Sequence, residues 1–111
     1  MGLDLTVCPT PYSIDRFSDL LSTRIDLHRD YELFDQIKAL PSLKGSLPVR
    51  WYEDDGLKER TTDPYGNDLK YTTASEFAAV DVPDDATDWN RAAIAFLAAL
   101  PPETRVYLWW H

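Results

Sequence analysis

Arg105-Val106-Tyr107-Leu108-Trp109-Trp110 is the stretch that decides how this sequence is read. Val106, Leu108 and Trp110 fall on one face of an extended chain, and Arg105, Tyr107 and Trp109 on the other, the period-2 pattern of a strand. The other end of the chain has the same habit. Leu3, Leu5 and Val7 alternate with Asp4, Thr6 and Cys8, until Pro9 and Pro11 close the run. These are the two most apolar strands, which predicts that both are central in one sheet and neighbours there.

Between them the periodicity switches. Thr87 or Asp88 is expected to cap a helix whose apolar stripe is Trp89, Ala92, Ala93, Phe96, Leu97 and Leu100, with Pro101-Pro102 as the stop. Tyr31, Phe34 and Ile37 recur at helical spacing, with Asp30 near the start, where a carboxylate favours the helix dipole, and Pro41 after the end. Ser13 is placed to cap a short helix carrying Ile14, Phe17, Leu20 and Leu21 on one side, and Thr23 to His28 alternates as a short strand.

The centre reads as a meander. Leu47 to Glu53 is a strand, Asp54-Asp55-Gly56 a hairpin turn, and Leu57 to Thr62 the return. Asp63-Pro64-Tyr65-Gly66-Asn67 is a second turn, after which Leu69, Tyr71 and Thr73 alternate. The expected architecture is α+β. One compact domain over residues 1–111 would hold a single, mostly antiparallel sheet of about five strands, with two to three helices packed on one face and an acidic β-meander at 47–73.

Composition narrows the function classes. The chain has 111 residues, nineteen acids against eleven bases, and a formal charge of −8. No apolar run approaches the roughly 20 residues that span a bilayer. Met1-Gly2-Leu3-Asp4 lacks the basic-then-apolar layout of a signal peptide, and the one cysteine cannot make an internal disulfide, so a cytoplasmic protein is expected. The charge is also unevenly placed. Residues 53–88 hold eleven acids and three bases, and the two flanks together are neutral. Such a block is either solvated loop and strand edge, or a negative surface that steers a basic partner. Direct nucleic-acid binding is not expected, because phosphate contacts need Lys and Arg.

Motifs for chemistry are sparse. One Cys with His28 and His111 cannot supply a structural zinc set, and Asp63, Asn67 and Asp68 lack calcium-loop spacing. His28, flanked by Asp26 and Asp30, reads as a solvated or capping residue, and Cys8 as a buried, inert thiol. No glycine-rich phosphate loop and no Gly-x-Ser-x-Gly is present. Neither cofactor nor resident metal is expected. One enzymatic alternative remains: Asp54 or Asp55 with Asp68-Leu69-Lys70 resembles the paired-carboxylate-and-lysine arrangement of metal-dependent nucleases and hydrolases. It would require those groups to meet at one end of the sheet.

Aromatic residues, 13% of the chain, are the more unusual feature. Trp51-Tyr52 and Trp109-Trp110 are adjacent on strands, so each pair points its rings to opposite faces. Either one ring of each pair faces a partner, or both sheet faces are covered. Arg50, Tyr52, Tyr107 and Trp109 are the candidate aromatic centre, and Asp54, Asp55, Glu59, Asp63 and Asp68 the candidate acidic rim.

Met1-Gly2-Leu3-Asp4-Leu5 at the start and Leu100-Pro101-Pro102-Glu103-Thr104-Arg105-Val106-Tyr107-Leu108-Trp109-Trp110-His111 at the end resemble the ends of small uncharacterised phage and prophage proteins. That resemblance implies a compact cytosolic protein of a bacterium or its mobile elements. It also implies inhibition of a host defence complex, in the manner of anti-CRISPR and anti-restriction proteins. The expected function is therefore a small acidic, non-enzymatic binding protein whose partner is a protein with a basic surface. Pairing with a second copy of the chain is a further expectation.

Overall fold

A computed structural model describes residues 3–10, 13–15, 18–20, 23–44 and 49–111, with the backbone path alone for 13–15, 18–20, 44 and 51–53. Its centre is the expected pair of strands. β1 (Leu5–Thr10) runs antiparallel to the last strand through six register pairs, from Leu5↔Trp110 to Thr10↔Arg105. Backbone bonds between Asp4 and His111, 2.7 and 3.0 Å, extend the ladder by one more pair.

In chain order the elements after β1 are β2 (Ser13–Asp15), β3 (Ser18–Leu20), β4 (Ile25–Asp26) and α1 (Tyr31–Lys38). Next come β5 (Leu43–Lys44), β6 (Val49–Glu53), β7 (Gly56–Arg60), β8 (Lys70–Thr73) and a 3₁₀ helix (Ala74–Ala79). The chain ends with α2 (Asp88–Ala99) and β9 (Arg105–Trp110). One sheet has the order β4-β1-β9-β8-β5 and is antiparallel throughout. A second sheet, β2-β3-β6-β7, contains one parallel pair, β3 with β6. The α+β class is as expected, and the five-stranded antiparallel sheet is accompanied by a smaller one.

Two local expectations change. The helix expected from Ser13 is strand wherever the stretch is described, because β3 finds a partner in β6 (Asp19↔Val49, Leu20↔Arg50), and pairing of this kind overrides weak local propensity. Phe17 and Leu21, which carried part of that reading, lie outside the described residues. The 47–73 meander also divides. β6 and β7 form the expected hairpin in the second sheet, but β8 pairs with β9 and β5 in the first. Between β7 and the β8 region only the single bridge Thr62↔Asp68 remains.

The helices pack on one face of the five-stranded sheet. Leu5, Val7, Val106 and Leu108 meet Leu33, Phe34 and Ile37 of α1, Ala74 and Phe77 of the 3₁₀ helix, and Ala93, Ile94 and Leu97 of α2 in one core. The opposite face carries a smaller cluster of Cys8, Tyr107, Leu69 and Val49, the last contributed by the second sheet. Both faces of the β1–β9 centre are therefore covered.

Capping follows the sequence. Asp30 accepts from the Leu33 N–H (3.1 Å) at the start of α1, and Thr87, rather than Asp88, accepts from the Asn90 N–H (3.2 Å) at the start of α2. The rotation of α2 does not follow. Its buried residues are Asn90, Ala93, Ile94 and Leu97, whereas Trp89 and Phe96 of the expected stripe are 52% and 46% exposed. At 100° per residue, the buried face lies about 80° from the one that hydrophobicity alone selects. The reason is Asn90. Its side-chain oxygen accepts from the His28 N–H (2.8 Å) and its amide donates to the His28 carbonyl (2.9 Å), so a wholly buried side chain serves as a strand neighbour for the segment after β4.

Asn90→Ala strands both backbone groups of His28 and is expected to cost about 3 kcal/mol of unfolding free energy, since each buried unsatisfied group costs roughly 1–3 kcal/mol. Phe96→Ala, on the exposed face of the same helix, should cost less than about 1 kcal/mol. Equilibrium urea unfolding of the two variants measures the difference, and equal losses would mean that α2 is seated by its apolar residues alone.

Candidate functional site

The expected binding residues divide between surface and interior. Asp54 and Asp55 form the exposed tip of the β6–β7 hairpin, where Gly56 takes the positive φ of 118° that closes the turn. Asp55 pairs with Lys58 at 2.9 Å, and Glu59, directly opposite Arg50 in the ladder, lies 3.9 Å from the Arg50 Nε. Backbone pairing sets Tyr52 opposite Leu57, but the side chains of Trp51 and Tyr52 lie outside the described residues.

Two residues are corrected. Tyr107, expected as a surface anchor, is 1% exposed: the second sheet and Leu69 close over it, and its ring lies 5.3 Å from that of Tyr71. Asp63, expected on the acidic rim, is 8% exposed and builds its own turn. Its side-chain oxygen accepts from the N–H groups of Tyr65 (2.9 Å) and Asn67 (3.1 Å), while Gly66, at φ 84°, makes the tight return. Asp68 is exposed, as expected.

The nuclease-like arrangement does not assemble. Asp54 and Asp55 cap one end of the β6–β7 hairpin, whereas Asp68 bridges to Thr62, beyond its other end. At about 3.3 Å per residue the length of β7 separates them by on the order of 15–20 Å. Among the described residues no group of three or more His, Cys, Asp or Glu side chains lies close enough to hold a metal ion.

Two concavities flank β9. On the face away from the helices, Thr6, Arg24, Asp26, Trp109 and His111 line a recess of about 350 Å³. Register puts Thr6 opposite both Trp109 and Asp26. The Thr6 hydroxyl donates to the Asp26 carboxylate and lies 3.0 Å from the His111 Nε2. A hydroxyl committed to a carboxylate accepts rather than gives a proton toward the imidazole, which orders the edge of the sheet and does not activate Thr6 as a nucleophile. Beside it, Arg29 grips Asp4 through two bonds (3.1 and 2.8 Å) and holds the Asp4 carboxyl below its usual range. Trp109, the one expected aromatic anchor seen at a surface, forms part of this wall.

On the helix side, Lys38, Ser42, Asp63, Asn67, Asp68, Lys70, Leu108 and Trp110 line a larger groove of about 540 Å³. Sequence reasoning named Asp63, Asp68 and Lys70 for other roles and missed their meeting with Lys38 and Trp110. Only the tertiary packing of α1 against β9 brings those two to the same place. Trp110 receives the edge of Phe34 (centroids 5.6 Å apart, planes at 80°) and carries the Lys38 ammonium 5.2 Å from its ring centroid.

Comparison with known proteins adds no family: no family model, no curated protein and no solved structure matches this chain.

Cys8 is the buried thiol expected from the sequence, and burial pushes its pKa from the ordinary 9.0 up to about 12. The folded state thus prefers the protonated form, so this contribution to stability is whole below pH 9 and is lost as pH rises from 9 through 12. Relative to Cys8→Ala, the native protein should lose up to about 1.4 kcal/mol per pH unit across that window, read from urea unfolding at a series of pH values. A parallel pH dependence in the two proteins would show that the thiol is not sealed. Iodoacetamide should label Cys8 only once the chain is unfolded.

Proposed function

We propose that this protein is a non-enzymatic binding protein that docks, through its acidic surface, on a protein partner with a basic face. The resemblance of its chain ends points to a phage-type inhibitor acting on a host defence or nucleic-acid-handling complex. The observation that carries the reading is the display of the central charge. Asp54, Asp55, Glu59, Asp68, Asp81, Asp84, Asp85 and Asp88 are all exposed, on the β6–β7 hairpin, the turn before β8 and the loop leading into α2. Within the 53–88 block, Asp63 is buried and turned to structural use.

The hairpin suits this role mechanically. It is a two-stranded arm at the edge of the second sheet, with β7 outermost. Its tip is exposed, so its carboxylates are open to a partner's Lys or Arg, Asp55 by exchange of its pairing with Lys58. Charges in such a position mainly set the rate of encounter, while apolar contact area sets the lifetime of the complex. Exposed Leu57 on the outer strand and the partly exposed Trp109 are among the described side chains able to supply that area from the two sheets.

The test is a capture experiment followed by kinetics. Wild-type protein and an Asp54→Asn, Asp55→Asn, Glu59→Gln variant, both shown to be folded by circular dichroism, are used to capture partners from a bacterial lysate. Association with the purified partner is then measured against salt. The variant should associate about tenfold more slowly at low ionic strength and nearly equally at about 1 M salt, where the Debye length falls to about 3 Å. A salt-independent rate, or a captured partner bound equally by the variant, would remove the electrostatic basis of the proposal.

A further inference from the structure

The groove between α1 and the β8–β9 edge lies apart from the acidic hairpin. Its volume, about 540 Å³, is in the range of small-molecule sites, and its lining combines an apolar wall with a few convergent polar groups. Leu108 and Trp110 form the wall. Lys38, in the last turn of α1, and Lys70, the first residue of β8, supply two ammonium groups.

The state of these lysines is informative. In a chain with nineteen acids and a net charge of −8, a lysine without a carboxylate is not the default. Yet among the described residues neither Lys38 nor Lys70 makes an ion pair; the Lys38 ammonium is held by the Trp110 ring instead. Asp63, in the same lining, has one side-chain oxygen occupied by its own turn. Ser42, Asn67 and Asp68 complete the lining with hydroxyl, amide and carboxylate groups, all of which bond to alcohols.

We propose that this groove binds a small phosphorylated polyhydroxy compound, of the sugar-phosphate or nucleoside-phosphate class. Its phosphate sits between Lys38 and Lys70, and its hydroxyls face Ser42, Asn67 and Asp68. Lysine acts on phosphate as a point charge, and the cation–π contact with Trp110 holds the Lys38 ammonium at the mouth of the groove before the ligand arrives. The carboxylates select within the class: a bare anion meets Asp68 with nothing to offer it, whereas a hydroxyl donates to it. The surface negative charge of the rest of the chain opposes non-specific anion binding, so any phosphate retained here is retained by these side chains.

The probes are ribose 5-phosphate, ribose and inorganic phosphate, titrated separately and followed by calorimetry and by the Trp110 indole N–H signal in ¹⁵N-correlated spectra. That signal is assigned by its absence from Trp110→Phe. Ribose 5-phosphate is expected to saturate and shift the Trp110 signal, with either half alone binding at least tenfold more weakly. Lys38→Gln and Lys70→Gln, both at exposed positions, should each weaken it tenfold or more. Lys58→Gln, on the hairpin and paired with Asp55, should leave it unchanged. No saturation at about 10 mM ribose 5-phosphate, phosphate binding as tightly as the ester, or indifference to both groove lysines would each overturn the proposal. None of these outcomes depends on the acidic hairpin, so this inference stands or falls apart from the docking surface.

Discussion

The pairing of β1 with β9 is the constraint on which the rest of the molecule rests. It joins the two ends of the chain through six register pairs, with nearly the whole sequence held in the loop between them. Closing a loop of that length costs conformational entropy before any contact repays it. What repays it is that the pair is apolar on both faces. Leu5 and Val7 stand beside Val106 and Leu108 under the helices, while Cys8 and Tyr107 lie beneath the second sheet. A strand pair with one wet face could not organise two layers. This one has α1, α2 and the 3₁₀ helix on one side and Val49 of β6 on the other, and every other element is defined by how it reaches that centre.

This explains which parts of the fold were legible in the sequence. β1, β9, α1 and the β6–β7 hairpin were visible because their signals are local: alternation, a capping carboxylate, an Asp-Asp-Gly turn. What could not be seen depends on partners far along the chain. The stretch that starts at Ser13 has a fair helical pattern, yet its described residues, 13–15 and 18–20, are strand because β6 offers an edge to β3. The meander divides because β9 has a free edge that β8 fills, which leaves the Thr62↔Asp68 bridge as the remnant of the expected third pairing. The rotation of α2 was illegible for a different reason. Hydrophobic periodicity treats Asn90 as a surface residue, yet the bare backbone of His28 needs a donor and an acceptor, and the Asn amide has both.

The candidate site was legible in its charges and not in its rings. Exposure of Asp54, Asp55, Glu59 and Asp68 follows from the cost of burying carboxylates without partners. Asp63 departs from that rule because an Asp before Pro-x-Gly-Asn can satisfy itself on its own turn. For the aromatic residues, alternation shows that neighbouring rings part company across a strand but not what lies over each face. The answer differs even within β9, where Tyr107 is sealed and Trp109 and Trp110 each border a concavity.

The outer strand of the hairpin shows how the charges also limit what this surface can bind. A second copy of β7 paired antiparallel about a two-fold axis would keep each residue on its own sheet face. Registers centred on Lys58, Glu59 or Arg60 would then set a charge directly against its own copy. Alternating Lys-Glu-Arg along an open edge thus works against self-pairing, the usual hazard of an unpaired strand, although Lys58 also pairs with Asp55 of the tip at 2.9 Å. The same few residues therefore leave the arm available to a partner of opposite charge while keeping this edge from its own kind. That distinction matters because the anionic arm would otherwise compete with an edge ready to add strands.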